Sequence, residues 1–180
     1  MDVLGNSTIS SEDGRSRGSV PTAQLPEPGA STPHIRLERH VLLPGLVNTH
    51  THLPMSLLRG LADDLPLRQW LEDCIFPAEA RFMTPPNVSL GTRLGIAEML
   101  LSGTTMCADG YFHERTVLDA AAERGMRGVF AQGVIDFPAP GVPNPRRNLD
   151  IARAHLSHPV PSSRQTAALF AHSPTPSPPE

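Results

Sequence analysis

The chain has 180 residues, a net charge of −3 and a pI near 6.2. Its length suits one ordinary domain, and its charge leaves no basic footprint for nucleic acid. No run of 18 apolar residues predicts a membrane span, and no basic-then-apolar leader predicts secretion, so a reducing cytoplasm is expected.

Residues 1–37 are rich in Ser, Gly, Pro and Thr and show no hydrophobic periodicity. Such a segment cannot bury enough apolar surface to offset its ordering entropy, and a disordered leader is expected. Ile35 to Leu43 reads as a short extended lead-in.

The central stretch is Val41-Leu42-Leu43-Pro44-Gly45-Leu46-Val47-Asn48-Thr49-His50-Thr51-His52. Its apolar run turns at Pro44-Gly45 and re-enters as a strand. Side chains alternate with period two on a strand, so Leu46, Asn48, His50 and His52 share one face. Two imidazoles at one strand end can reach a single metal. A bare His-x-His is more often a packed pair than a ligand pair, so the flanking residues decide.

Leu53 to Phe76 reads as a loop with a helical piece, in which Leu67, Trp70, Leu71 and Cys74 recur at helical spacing. Thr84-Pro85 predicts a helix start. Leu90, Leu94, Ala97 and Leu101 mark one face, and Gly103 ends the helix. A strand follows over 104–109. The next helix spans 113–124, with Val117, Leu118, Ala121 and Ala122 inward. A third strand spans 127–136. After a Pro-rich loop come a helix over 148–156, a strand over 166–172 and a Pro/Ser tail. Alternating strands and helices predict an α/β fold with a parallel sheet. Cys74 and Cys107 form no CxxC and read as buried free thiols.

The stretch from Leu43 to His52 resembles the first barrel strand of the amidohydrolase superfamily. The segments 54–60, Trp70-Leu71, Pro77-Ala78-Glu79, 102–105, 109–114 and His172-Ser173-Pro174 narrow the resemblance. Together they look like the methylthioadenosine/S-adenosylhomocysteine deaminases and the related triazine or chlorohydrolase-type enzymes. The resemblance implies a metal-dependent hydrolase on a (β/α)8 TIM-type barrel. Complete barrels take about 250 residues, so this chain would hold about the first four strands. The expected partition is a leader over 1–37, the N-terminal half of the barrel over 38–174 and a Pro-rich tail over 175–180.

By the same resemblance, His50 and His52 match two metal ligands. The metal is zinc, with iron or manganese also served by imidazole. Glu79 and His172 match substrate-binding residues, Glu79 holding ribose hydroxyls. The substrate implied is a small nucleoside-like amine, with neither nucleic acid nor membrane as partner. A substrate-binding Arg on the third strand has Gln132 in its place. The catalytic Glu and the remaining metal ligands belong to later strands, past Glu180. A truncated or frameshifted copy is therefore expected. An inactive fragment that self-associates as a homo-oligomer, or pairs with an intact homologue, is the alternative.

Outside the resemblance, simpler readings hold. Trp70 is packing, and Asp109 makes a structural hydrogen bond. Glu114 suits the positive end of a helix. His155 and His158 are surface residues.

Overall fold

The computed structural model describes residues 7–12, 15–24, 33, 35–37 and 39–171. The chain divides into two compact units, residues 1–43 and 44–180.

In the first unit, β1 (Ser7–Glu12) and β2 (Arg15–Pro21) pair antiparallel, with Thr8 opposite Val20 and Ile9 opposite Ser19. This ribbon differs from the disordered leader expected over 1–37. β-Branched Thr8, Ile9 and Val20 favour extended pairing. Almost every residue of the ribbon is exposed, so it rests on backbone bonds rather than on a core.

The second unit is built on four parallel strands in the order β3 (Leu46–Thr51), β4 (Thr104–Tyr111), β5 (Arg127–Val134) and β6 (Gln165–Ala171). Sequential neighbours pair in order, as right-handed crossovers through helices allow. A 3₁₀ segment, Leu53–Leu58, follows β3. Next come α1 (Leu67–Gln69), a π-helical stretch Trp70–Ile75 and α2 (Phe76–Phe82), which run on as one helical segment. Then α3 (Pro85–Leu101) leads into β4, α4 (Glu114–Glu123) into β5 and α5 (Asn148–Ser157) into β6.

Phe130, Leu118, Val117, Ala121, Met126, Ile96, Val88 and Cys107 form one buried apolar cluster where the sheet meets α3 and α4. On α4 the inward face is Val117, Leu118, Ala120 and Ala121, with Ala122 only half-buried. Both cysteines are free; Cys107 is buried and Cys74 half-buried.

The α3 face differs from a core stripe of Leu90, Leu94, Ala97 and Leu101. Leu90, Leu94 and Leu101 are 57, 41 and 89% exposed, and the buried side is Val88, Gly91, Thr92, Gly95 and Ile96. The reason is close approach. A Cβ on Gly91 would stand 2.5 Å from the Pro54 carbonyl oxygen, and one on Gly95 2.8 Å from Leu53 Cδ2. The helix is pressed onto the 3₁₀ segment through its smallest residues, a contact that an apolar count does not register.

His155 is a second correction. It is 5% exposed rather than on the surface, and its Nε2 meets the Phe130 carbonyl at 3.0 Å. That bond ties α5 to β5, and burial lowers the imidazole pKa. His158 is exposed, as expected.

Candidate functional site

The C-terminal ends of the parallel strands carry the chemistry-bearing side chains. His50 is the penultimate residue of β3, and His52 follows the strand directly. Their Nε2 atoms stand 3.3 Å apart with the rings edge-on at 82°. Tetrahedral zinc with Zn–N bonds of about 2.05 Å separates two nitrogen donors by about 3.3 Å. The pair therefore fits two corners of such a site. His52 Nδ1 meets the Gly110 carbonyl at 2.5 Å. A carbonyl only accepts, so Nδ1 carries the proton and the Nε2 lone pair faces His50. Among the described residues, no third His, Cys, Asp or Glu joins the two in a metal-binding group.

Next to His52 stands Tyr111, at the end of β4, with ring centroids 6.0 Å apart. The Tyr111 hydroxyl donates to Glu79 Oε1 at 2.6 Å. Glu79 comes from α2 and is 5% exposed. Burial raises its carboxyl pKa, and the Tyr111 bond opposes part of that rise. Tyr111 thus links the acid to the histidine pair. The sequence carried Tyr111 within the 109–114 segment, but nothing in its spacing marked the hydroxyl as the partner of Glu79. Burial and the neighbouring carboxylate together raise the phenol pKa far above its ordinary value.

His52, Glu79 and Tyr111 line a cleft of about 170 Å³ together with Trp70, Phe76 and Phe137. The aromatic residues make one wall, with Phe76 and Phe137 5.5 Å apart at their centroids. Trp70 packs as expected, donating its indole N–H to the Leu61 carbonyl at 3.0 Å, while also lining the cleft.

Gln132 lies on β5, buried at 3% exposure. Its Oε1 accepts from the Glu114 backbone N–H at 3.3 Å and its Nε2 donates to the Gly133 carbonyl at 3.3 Å. Both ends of the amide are thus engaged by backbone. His172 lies outside the described residues, one position past β6.

Beneath the histidines, Asp109 Oδ1 accepts the Leu53 N–H at 2.6 Å, the structural bond expected of it. Glu114 opens α4, as expected, is wholly buried and lies against Asp109.

The amidohydrolase family model matches residues 41–175. A 5-methylthioadenosine/S-adenosylhomocysteine deaminase of Thermodesulfovibrio yellowstonii is 44% identical over 139 residues, covering 76% of this chain and 32% of that protein. A deaminase of the same name from Saccharophagus degradans is 47% identical over 126 residues, covering 70% of this chain and 28% of that protein. Among solved structures, an adenosine deaminase from Xanthomonas campestris with bound zinc superposes with a TM-score of 0.78 at 30% identity. That match covers 93% of this chain and 38% of the other. A triazine hydrolase, 21% identical with a TM-score of 0.61 over 72% of this chain, shares the fold. The chain spans about a third of the length of the curated relatives it matches. Its four parallel strands are part of the barrel on which these hydrolases are built, and the chain belongs to the amidohydrolase family.

Proposed function

We propose that this chain supplies two metal ligands and one wall of the substrate cleft of a metal-dependent hydrolase that deaminates an adenosine-type ring. The observation that carries the reading is the convergence of His50 and His52, Nε2 to Nε2 at 3.3 Å, beside a buried acid held by Tyr111. The names of the most similar relatives supply the substrate class.

The metal of this reading is zinc, and bound zinc lowers the pKa of a coordinated water to about 7. The net reaction adds water at the ring carbon bearing the amino group and releases ammonia. His50 and His52 would hold the metal through Nε2. A catalytic zinc takes three protein ligands, so on this reading the third comes from outside the described residues. Glu79, with Oε1 taken by Tyr111, offers Oε2 to the sugar hydroxyls. Phe76, Trp70 and Phe137 exclude water and stack against an aromatic ring. His172 stays in the proposal as a second substrate contact.

The test is ammonia release from adenosine, 5′-methylthioadenosine and S-adenosylhomocysteine by a zinc-loaded chimera in which residues 41–171 replace the matching segment of the Thermodesulfovibrio yellowstonii deaminase, which supplies the remaining ligands. The reading expects release from at least one of them, abolished in His50→Ala. A chimera that holds one zinc through these histidines yet frees no ammonia from any of the three would refute the deaminase assignment.

A further inference from the structure

The end of β4 touches the metal-type strand at two consecutive residues. Asp109 stands beside Thr51 in the parallel register. Its Oδ1 takes the N–H of Leu53, the peptide immediately after His52. Gly110, the next residue, offers its carbonyl to His52 Nδ1. One contact fixes the backbone on which the imidazole is mounted, and the other fixes the ring. Both depend on where the 109–110 peptide sits.

What holds Asp109 is Glu114. The two residues are 2% and 0% exposed, and their carboxyl groups lie against one another. Asp109 Oδ2 and both oxygens of Glu114 are buried without a well-formed hydrogen bond among the described residues, the nearby Tyr111 N–H failing to complete one. Two ionised carboxylates in contact inside a protein repel strongly. Three orphaned acceptors are costly as well. A single proton removes the repulsion and joins two of the three oxygens, because a Glu114 O–H can donate to Asp109 Oδ2 while Oδ1 keeps the Leu53 N–H; the other Glu114 oxygen has only the nearby Tyr111 N–H to turn to. Glu114 is itself fixed: its own N–H is bonded by Gln132 from β5, and it follows His113, whose φ of +54° sets the sharp turn into α4.

We propose that Asp109 and Glu114 are a positioning pair, joined by one shared proton, that holds His52 in the Nδ1–H tautomer with Nε2 directed at His50. Neither acid touches the metal or the substrate cleft in this role. Outer groups of this kind orient metal-binding histidines and set their basicity. The inference rests on reading His52 as a metal ligand.

The experiment is nitrogen-15 NMR of the histidine rings in the full 180-residue chain, metal-free, with His52 assigned by the loss of its signals in His52→Ala. The wild type is expected to show His52 as a single Nδ1–H tautomer. Glu114→Gln, whose amide N–H replaces the acid O–H as donor to Asp109, is expected to keep it. Glu114→Leu leaves Asp109 an isolated buried carboxylate and is expected to convert the signal to a tautomer mixture. Its zinc affinity should fall about tenfold to a hundredfold. Where Glu114→Leu does not fold, Glu114→Met, close to glutamate in length, takes its place. A folded apolar variant with an unchanged Nδ1–H signal overturns the proposal, and so does a folded Glu114→Gln chain that has lost it. The tautomer is read without metal, so a wild type that binds no zinc would refute the ligand assignment separately.

Discussion

Replacing Tyr111 with Phe removes one oxygen and little else, which isolates its bond to Glu79. That bond is 2.6 Å long and its acceptor is 5% exposed. A hydrogen bond to a charged group contributes about 1.5–3 kcal/mol, against about 0.5–1.5 kcal/mol between neutral groups. Burial already raises the Glu79 carboxyl, and the Tyr111 bond pulls it partly back. Without the hydroxyl the carboxyl should rise further, because the bond it loses favours the charged form over the neutral one by about 1 kcal/mol. The assay is a carbon-13 NMR titration of the labelled Glu79 carboxyl in wild type and Tyr111→Phe. Urea unfolding at pH 4 and pH 8 runs alongside. The loss of stability should be larger at pH 8, where the carboxylate is charged. A Tyr111→Phe chain in which Glu79 titrates at the wild-type pH would mean that the hydroxyl does not hold the acid, and the link from Glu79 to the histidines would fall.

Gly91→Ala sets helix propensity against packing. Alanine gains about 1 kcal/mol in a helix interior, but the new Cβ would stand 2.5 Å from the Pro54 carbonyl oxygen and 2.9 Å from Pro54 Cα. Backbone cannot give way as a side chain can, so the clash should cost about 3 kcal/mol. A net loss of about 2 kcal/mol by urea unfolding is expected; a stabilised variant would contradict the packing described. The buried acids make stability depend on pH. Burial and the facing Asp109 raise Glu114 well above its ordinary range. The folded chain therefore binds this proton more tightly than the unfolded chain. Stability should fall as pH rises above about 4.3, by up to about 1.4 kcal/mol per unit, until the buried acid gives up its proton. Glu114→Gln should remove that slope, and equal slopes in the two chains would contradict the shared proton.

The strands and the histidine pair were legible in the sequence because period two is a strong local signal. His50 and His52, two positions apart at the end of an apolar run, are expected on one face, and their Nε2 atoms converge to 3.3 Å. The alternation of elements likewise followed from Gly and Pro punctuation, and β3 to β6 lie within a few residues of their expected spans. What stayed hidden was set by distance in sequence. Gly91 and Gly95 look like weak points in a helix until the 3₁₀ segment is laid across them. Glu114 looks like a residue suited to a helix start, and nothing local says that β4 and β5 will bury it. His155 reads as polar and exposed because its partner, the Phe130 carbonyl, is 25 positions away. Glu79 and Tyr111 were each in view, 32 positions apart, but their bond was not.

The most direct test of the account is zinc affinity, by competition titration against a chromogenic chelator, for wild type, His50→Ala, His52→Ala and the double variant. Two imidazoles that share one metal predict saturation at one zinc per chain and a loss of at least about tenfold in each single variant. The double variant should be little worse than either single one, because losing one ligand already breaks the site. Wild-type affinity retained in both single variants would show that the convergence of His50 and His52 is packing and not a metal site.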